Sequence, residues 1–325
     1  MKISRKIDPR YRSLLQKAVR RGHVNLVMTL SSLIGLLGPV EKRWFSQQTV
    51  IMAFRMCWPL VPEFNFTRHF HSRVAAMAKV ARSVKNQDAA GLGAMAHAFS
   101  KGDFSVLDDS ENDRIIRIVS SGIERPDDFW AWVDDGFDDG ADERNKSGQP
   151  PILWRRGKSA SLFDRAVIHA AAYLAVTTDP PTLSGADPED DRFPYWVAFD
   201  HHTREGRRVL ADISRDLHIP LSQLRWILFY FEGSRTQKRV SSVWWDRYCR
   251  WRFKKAGLVP EQAHLIWQSA RPQLMAALAE DARHLHREIY RWKKAHLDQV
   301  NDLKTEVAPF FSSPKRLADR QKPLF

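Results

Sequence analysis

The sequence predicts an all-α fold. Apolar residues recur at helical spacing in one segment after another, no Val/Ile/Thr alternation of the kind that builds strands is sustained, and no internal repeat is present. With 325 residues, 43% of them hydrophobic, the chain is long enough for one large or two ordinary domains with a substantial core. The expected architecture is a multi-helix globular bundle carrying a long acidic loop insertion. An N-terminal helical region covers 1–102, the acidic insert 103–160, a C-terminal helical region with a basic-aromatic surface 161–308, and a basic tail 309–325.

Tyr11–Leu37 places Leu14, Leu15, Ala18, Val19, Leu26, Val27 and Leu30 on helical faces, with Gly22 marking a junction between two helices. A further apolar helix spans about Trp44–Met56 and stops at Trp58-Pro59, because proline disfavours helix in the residue before it. Arg68–Phe99, with Ala-rich spacing at Val74–Ala81 and Ala89–Phe99, reads as one or two helices. Asp103–Pro151 combines Asp-Gly, Ser-Gly and Pro-Pro steps, predicting a short helix near Asp113–Ser121 and then a long acidic loop. Helices resume at Ser161–Val176, pause over Thr177–Pro194, and continue from about His201 to Lys304.

Net charge is +13, distributed unevenly. Between Asp103 and Glu143 fourteen acids face three arginines, a local −11, so the remainder carries 13 + 11 = +24. A strongly basic body points to a polyanion, and DNA is the expected partner. There is no long apolar span, and Met1-Lys-Ile-Ser-Arg-Lys runs straight into charged sequence, so no membrane partner and a cytoplasmic setting are expected. Cys57 and Cys249 provide neither a disulfide framework nor a thiolate metal site, and at least one is expected in the interior. His201 and His202 would diverge by about 100° on a helix, and His69/His71 and His284/His286 also point apart at their spacing, so no metal is expected.

On a helix Lys17, Arg20 and Arg21 share a face near its end, with His23 just past Gly22. Cations there suit the helix dipole and solubility, or form a phosphate clamp or active-site rim. The stretch Ser13-Leu-Leu-Gln-Lys-Ala-Val-Arg-Arg-Gly22, followed by an apolar helix, Trp44 and Val50-Ile-Met-Ala-Phe54, resembles the helical C-terminal region of the clamp-loader-related replication and recombination AAA+ ATPases. A similar segment opens the helical oligomerisation domain of that family. The resemblance covers roughly a sixth of the chain and implies an all-helical fold and a role around DNA. The family's ATP-binding residues are not carried over: Gly157-Lys158-Ser159 has the tail of a phosphate loop, but Ile152 stands at the required earlier glycine. Neither ATP nor any other cofactor is expected.

Tyr195-Trp-Val-Ala-Phe-Asp-His-His-Thr-Arg204 embeds an acid behind largely apolar residues. Asp200 either caps a helix beginning at His201 or is a catalytic carboxylate in an aromatic pocket of Tyr195, Trp196 and Phe199, flanked by His201, His202 and Arg204. Downstream, Val209–Leu228 resembles a helix-turn-helix. Its first helix carries Leu210, Ala211 and Ile213, its turn is His218-Ile-Pro220, and its second helix has Ser222 as N-cap and exposes Gln223 and Arg225. Trp226-Ile-Leu-Phe-Tyr-Phe231 requires that second helix to be largely buried. Glu232, which ends it, is either a buried acid partnered by an arginine or a catalytic carboxylate.

In Trp244–Lys255 rings and cations interleave. Helical spacing puts Trp244, Tyr248 and Trp251 on one side and Arg247, Arg250 and Lys254 beside them, and Arg235, Lys238 and Arg239 add cations from the preceding loop. The rings either stack on bases or enter the core while the cations face phosphates. The inventory matches a metal- and ATP-independent enzyme acting on DNA bases, resembling a DNA glycosylase that flips a nucleotide and applies a carboxylate. A non-catalytic replication or recombination accessory and a helix-turn-helix regulator are the alternatives.

Overall fold

A computed structural model describes residues 8–36, 42, 44–45, 70–82, 87–99, 101–103, 105–106, 192–236 and 243–308. The body of the acidic insert, the expected helices at Trp44–Met56, Asp113–Ser121 and Ser161–Val176, Gly157–Ser159, Cys57, Lys238, Arg239 and the basic tail lie outside them, wholly or in large part. The described residues form ten α-helices and no strand, as the apolar periodicity predicts. None of these helices is long and apolar enough to cross a membrane.

Helix α1, Pro9–Arg20, begins with proline in its first turn, and the Asp8 side chain accepts a hydrogen bond from Arg10 N at 2.9 Å. It ends where Gly22 adopts φ +75°, and α2 runs over Val24–Gly35, buried nearly all round. Arg68–Phe99 resolves into two helices, α3 (Phe70–Arg82) and α4 (Asp88–Phe99). A single 3₁₀ turn, Tyr195–Ala198, precedes α5 (Arg204–Asp216), α6 (Leu221–Leu228), a π-helical turn at Phe229–Gly233, α7 (Val243–Lys255), α8 (Pro260–Ala277), α9 (Ala279–Ala295) and α10 (Leu297–Val307).

The N- and C-terminal helical regions interleave in one hydrophobic core. The last helix, α10, packs on α2 and α3, α4 lies along α7, and α5 and α6 pack on α8. The 3₁₀ turn is held between α1 and α9. An edge-to-face chain marks that junction: His23 meets Phe193 (4.9 Å between ring centroids), Phe193 meets Tyr195 (5.4 Å), and Tyr195 stacks on His286 at 4.6 Å.

In the α4–α7 contact a β-carbon on Gly91 would lie 2.5 Å from the Trp244 carbonyl group, closer than backbone atoms tolerate. Gly91→Ala is therefore expected to push α7 away from α4 and destabilise the fold by about 1–3 kcal/mol, the range of core overpacking. Chemical denaturation reads this directly, and an unchanged midpoint would contradict the close approach.

Candidate functional site

The basic end of α1 points inward. Lys17, Arg20, Arg21 and His23 are all buried, at 5–7% exposure. Neither the solubility reading nor the phosphate-clamp reading of these cations fits that placement, because protein groups occupy their polar ends. Lys17 forms an ion pair with Asp200 and donates to Ser13 Oγ at 2.8 Å, while Ser13 Oγ donates to Asp200 Oδ2 at 3.1 Å. Arg20 donates to the Gly233 carbonyl at 2.5 Å and lies over the Phe229 ring. Arg21 donates to the Glu232 carbonyl at 2.9 Å and to its carboxylate at 2.8 Å. One turn of helix thus binds two carboxylates that follow it by about 180 and 210 residues.

Asp200 does not cap the next helix. That helix starts at Arg204, three residues later than the sequence suggests, with Thr203 as its cap: Thr203 Oγ1 accepts from Gly206 N at 3.1 Å. Asp200 instead closes a turn, its Oδ1 accepting from His202 N at 2.9 Å and lying 2.9 Å from His202 Nδ1. Tyr195, Trp196 and Phe199 are core residues rather than an open aromatic pocket. Gly206 is the reason the turn fits, since a β-carbon there would lie 2.2 Å from the Asp200 carbonyl oxygen. Burial pushes the Asp200 carboxyl up, but the Lys17 ammonium and the His202 contacts outweigh it and hold it well below the usual carboxylate range. Burial pulls Lys17 down against the attraction of Asp200, and lowers Arg21 to about 10 against that of Glu232.

Because His201 and His202 sit in a turn and not on a helix, the divergence argument against a metal pair fails. Their rings approach to 3.8 Å between centroids, and with Asp200 they offer ligand atoms within 4.8 Å of one another. Neighbouring cations oppose a metal ion, since Lys17 holds the carboxylate and Arg207 donates to the His202 carbonyl at 3.2 Å, although burial lowers the His201 imidazole toward its neutral, ligating form.

Glu232 lies in the π-helical turn, an insertion that the apolar pattern of Trp226–Phe231 does not reveal. Ser234 N donates five residues back to the Phe229 carbonyl at 2.8 Å, and Gln87 Nε2 donates to the Ser234 carbonyl at 2.7 Å. The Glu232 carboxylate is 3% exposed and faces three guanidiniums, Arg21 at 2.8 Å, Arg271 at 3.3 Å and Arg235 at 3.6 Å. It is the arginine-partnered acid of the two alternatives read from the sequence. Beside it opens a pocket of about 1240 Å³, walled by Tyr230, Phe231, Trp245 and Trp267 and edged by Arg235, Arg250 and Arg271. The sequence marks several of these side chains individually, but only the π turn brings them together.

In the helix-turn-helix-like stretch, α5 and α6 are joined by a short turn and pack on each other. His218 takes φ +51°, filling the turn position where glycine is usual. Pro220, not Ser222, precedes α6, and Gln223 Nε2 donates to the Ala256 carbonyl at 2.6 Å, leaving Ser222 and Arg225 as the fully exposed side chains of an eight-residue helix. That face is small for reading base edges. In α7 the rings turn inward: Trp245, Tyr248 and Trp251 are buried, and Trp251 Nε1 donates to Ser105 Oγ at 3.1 Å. Direct base stacking on Tyr248 or Trp251 is therefore replaced by core packing. Trp244 is half-buried with Arg247 over its ring at 4.7 Å, while Arg204, Arg235, Arg250 and Lys254 are exposed. Cys249 is buried, and burial raises its thiol.

No family model, curated protein or solved structure matches the chain.

The buried pairs make a measurable forecast. Asp200→Asn keeps the shape but strands the Lys17 ammonium, and is expected to cost about 3–5 kcal/mol, whereas Lys17→Met with Asp200→Asn recovers most of it. Tolerance of the single change would contradict the ion pair. With its folded pKa depressed, Asp200 contributes stability above its unfolded value of about 4 and loses it as pH falls below. The double variant should accordingly show a shallower decline in stability on the acid side.

Proposed function

We propose that the chain is a DNA-binding protein whose contact surface is built by α5 to α7 and the turns around them. The observation that carries this is a charge surplus in the sequence of this region together with the exposure of many of its cations. Residues 192–255 hold fourteen Lys and Arg against six Asp and Glu, a local +8. Two of those six acids, Asp200 and Glu232, are neutralised by Lys17 and Arg21 from α1. The fourteen cations of the stretch thereby share its four other acids, with Asp103 binding Lys255 from outside it, and Arg204, Arg207, Arg208, Arg225, Arg250 and Lys254 are exposed. Exposed cations at this density neutralise phosphates and release counterions. DNA affinity should fall steeply with salt, and Arg204→Gln, Arg250→Gln and Lys254→Gln together should reduce the slope of log K against log salt by about 2–3. Salt-independent affinity, or no binding at low salt, would sink the proposal.

A second reading, base-acting catalysis of the DNA glycosylase kind, is favoured by one feature. His202 Nδ1 lies 2.9 Å from Asp200 Oδ1, which orients the ring with its Nε2 edge directed away from that contact on a side chain that is 62% exposed. An oriented imidazole can activate a water against an N-glycosidic bond, while the ionised Asp200 steadies positive charge on the sugar. Because Lys17 already neutralises much of that charge, His202 is the better test. His202→Gln should abolish base release, read as alkali-labile abasic sites, with DNA affinity intact. Undiminished release would move catalysis elsewhere.

A further inference from the structure

We infer that the pocket beside the π turn is a binding site for single-stranded nucleic acid, taking a nucleotide with its phosphate on Arg250, Arg235 and Arg271 and its base against the half-buried rings of Tyr230 and Phe231. This rests on the DNA-binding reading and specifies where and in what form the strand is held.

Charge fixes the ligand's sign. The lining carries three guanidiniums against two carboxylates, Glu232 and Asp246, a surplus of 3 − 2 = +1, and Arg21 binds Glu232 from outside the lining. Glu232 holds Arg271 and Arg235 toward the pocket at 3.3 Å and 3.6 Å, and both remain partly exposed, at 44% and 59% of their side chains. Two forked donors fixed at one end and open at the other suit a phosphate. The aromatic wall fixes the ligand's second feature, a flat ring. Tyr230 and Phe231 are half-buried and offer ring surface, and the buried Trp267, parallel to Phe231 at 5.5 Å between centroids, backs that surface from the core.

Size selects the polymer over the free nucleotide. At about 1240 Å³ the pocket exceeds the roughly 300–1,000 Å³ of ordinary small-molecule sites, and a mononucleotide would leave much of it empty. A paired base has its face covered by its neighbours, so a duplex would have to give up a nucleotide to enter.

The test uses the full-length protein and fluorescence anisotropy with a labelled single strand and a blunt duplex of the same length. It compares Arg250→Gln, at the edge of the pocket, with Arg208→Gln, an exposed arginine of α5 outside it. Tighter binding of the single strand, weakened about tenfold by Arg250→Gln but only about twofold by Arg208→Gln, is the expected result. Equal binding of strand and duplex with equal effects of the two variants would overturn the pocket assignment while leaving DNA binding standing. Absence of binding to either would overturn both. Displacement of the strand by micromolar thymidine monophosphate would overturn the strand assignment and make the pocket a small-nucleotide site.

Discussion

Everything about the candidate site depends on how the basic end of α1 is buried. Three consecutive polar tasks fall on one helical turn: Lys17 holds Asp200, Arg20 satisfies the Gly233 carbonyl, and Arg21 binds both the carbonyl and the carboxylate of Glu232. Burying such pairs yields little net stability, because desolvation offsets most of the attraction. Their effect is specificity of arrangement, since removing either partner leaves an uncompensated charge in the core. The π turn follows the same logic: its terminal carbonyls need donors, and Arg20, Arg21 and Gln87 supply them.

This arrangement separates charges that hold the protein together from charges exposed at its surface. Lys17 and Arg21 are consumed internally by Asp200 and Glu232, whereas Arg204, Arg207, Arg208, Arg225, Arg250 and Lys254 are exposed. The N-terminal helix α1 thus braces the basic surface without being part of it. On α7 the same division runs through single residues. Arg252 lies over the Trp226, Tyr248 and Trp251 rings, a packing role, while Arg250 and Lys254 face outward.

The helical class was legible because the 3.6-residue apolar period needs no knowledge of partners, and the Gly22 break was legible because only a few residue types take a positive φ. Burial of Lys17, Arg20 and Arg21 was not legible, since the groups that receive them lie about 180 to 210 residues away. Local reasoning sees three cations at a helix end and offers them to water or to a phosphate, not to buried carboxylates. Asp200 misled for a smaller reason: Asp and Thr are both good caps, and the pattern Asp-His-His-Thr does not say which begins the helix. The geometry excluding a metal at His201 and His202 inherited that error. In α7 spacing separated rings from cations but could not show that Tyr248 and Trp251 face the core. The π turn leaves no mark in hydrophobicity, so the pocket it creates had to be seen.

A double-mutant cycle on Arg21 and Glu232 tests the central claim most directly, with Arg21→Met, Glu232→Gln and the pair compared by chemical denaturation. If the buried end of α1 is an internal clamp, the two residues should show a coupling energy of about 2–3 kcal/mol, toward the upper end of what contacting residues give. Additive losses, with coupling near zero, would mean that Arg21 and Glu232 do not depend on each other and that the clamp is not what positions the site.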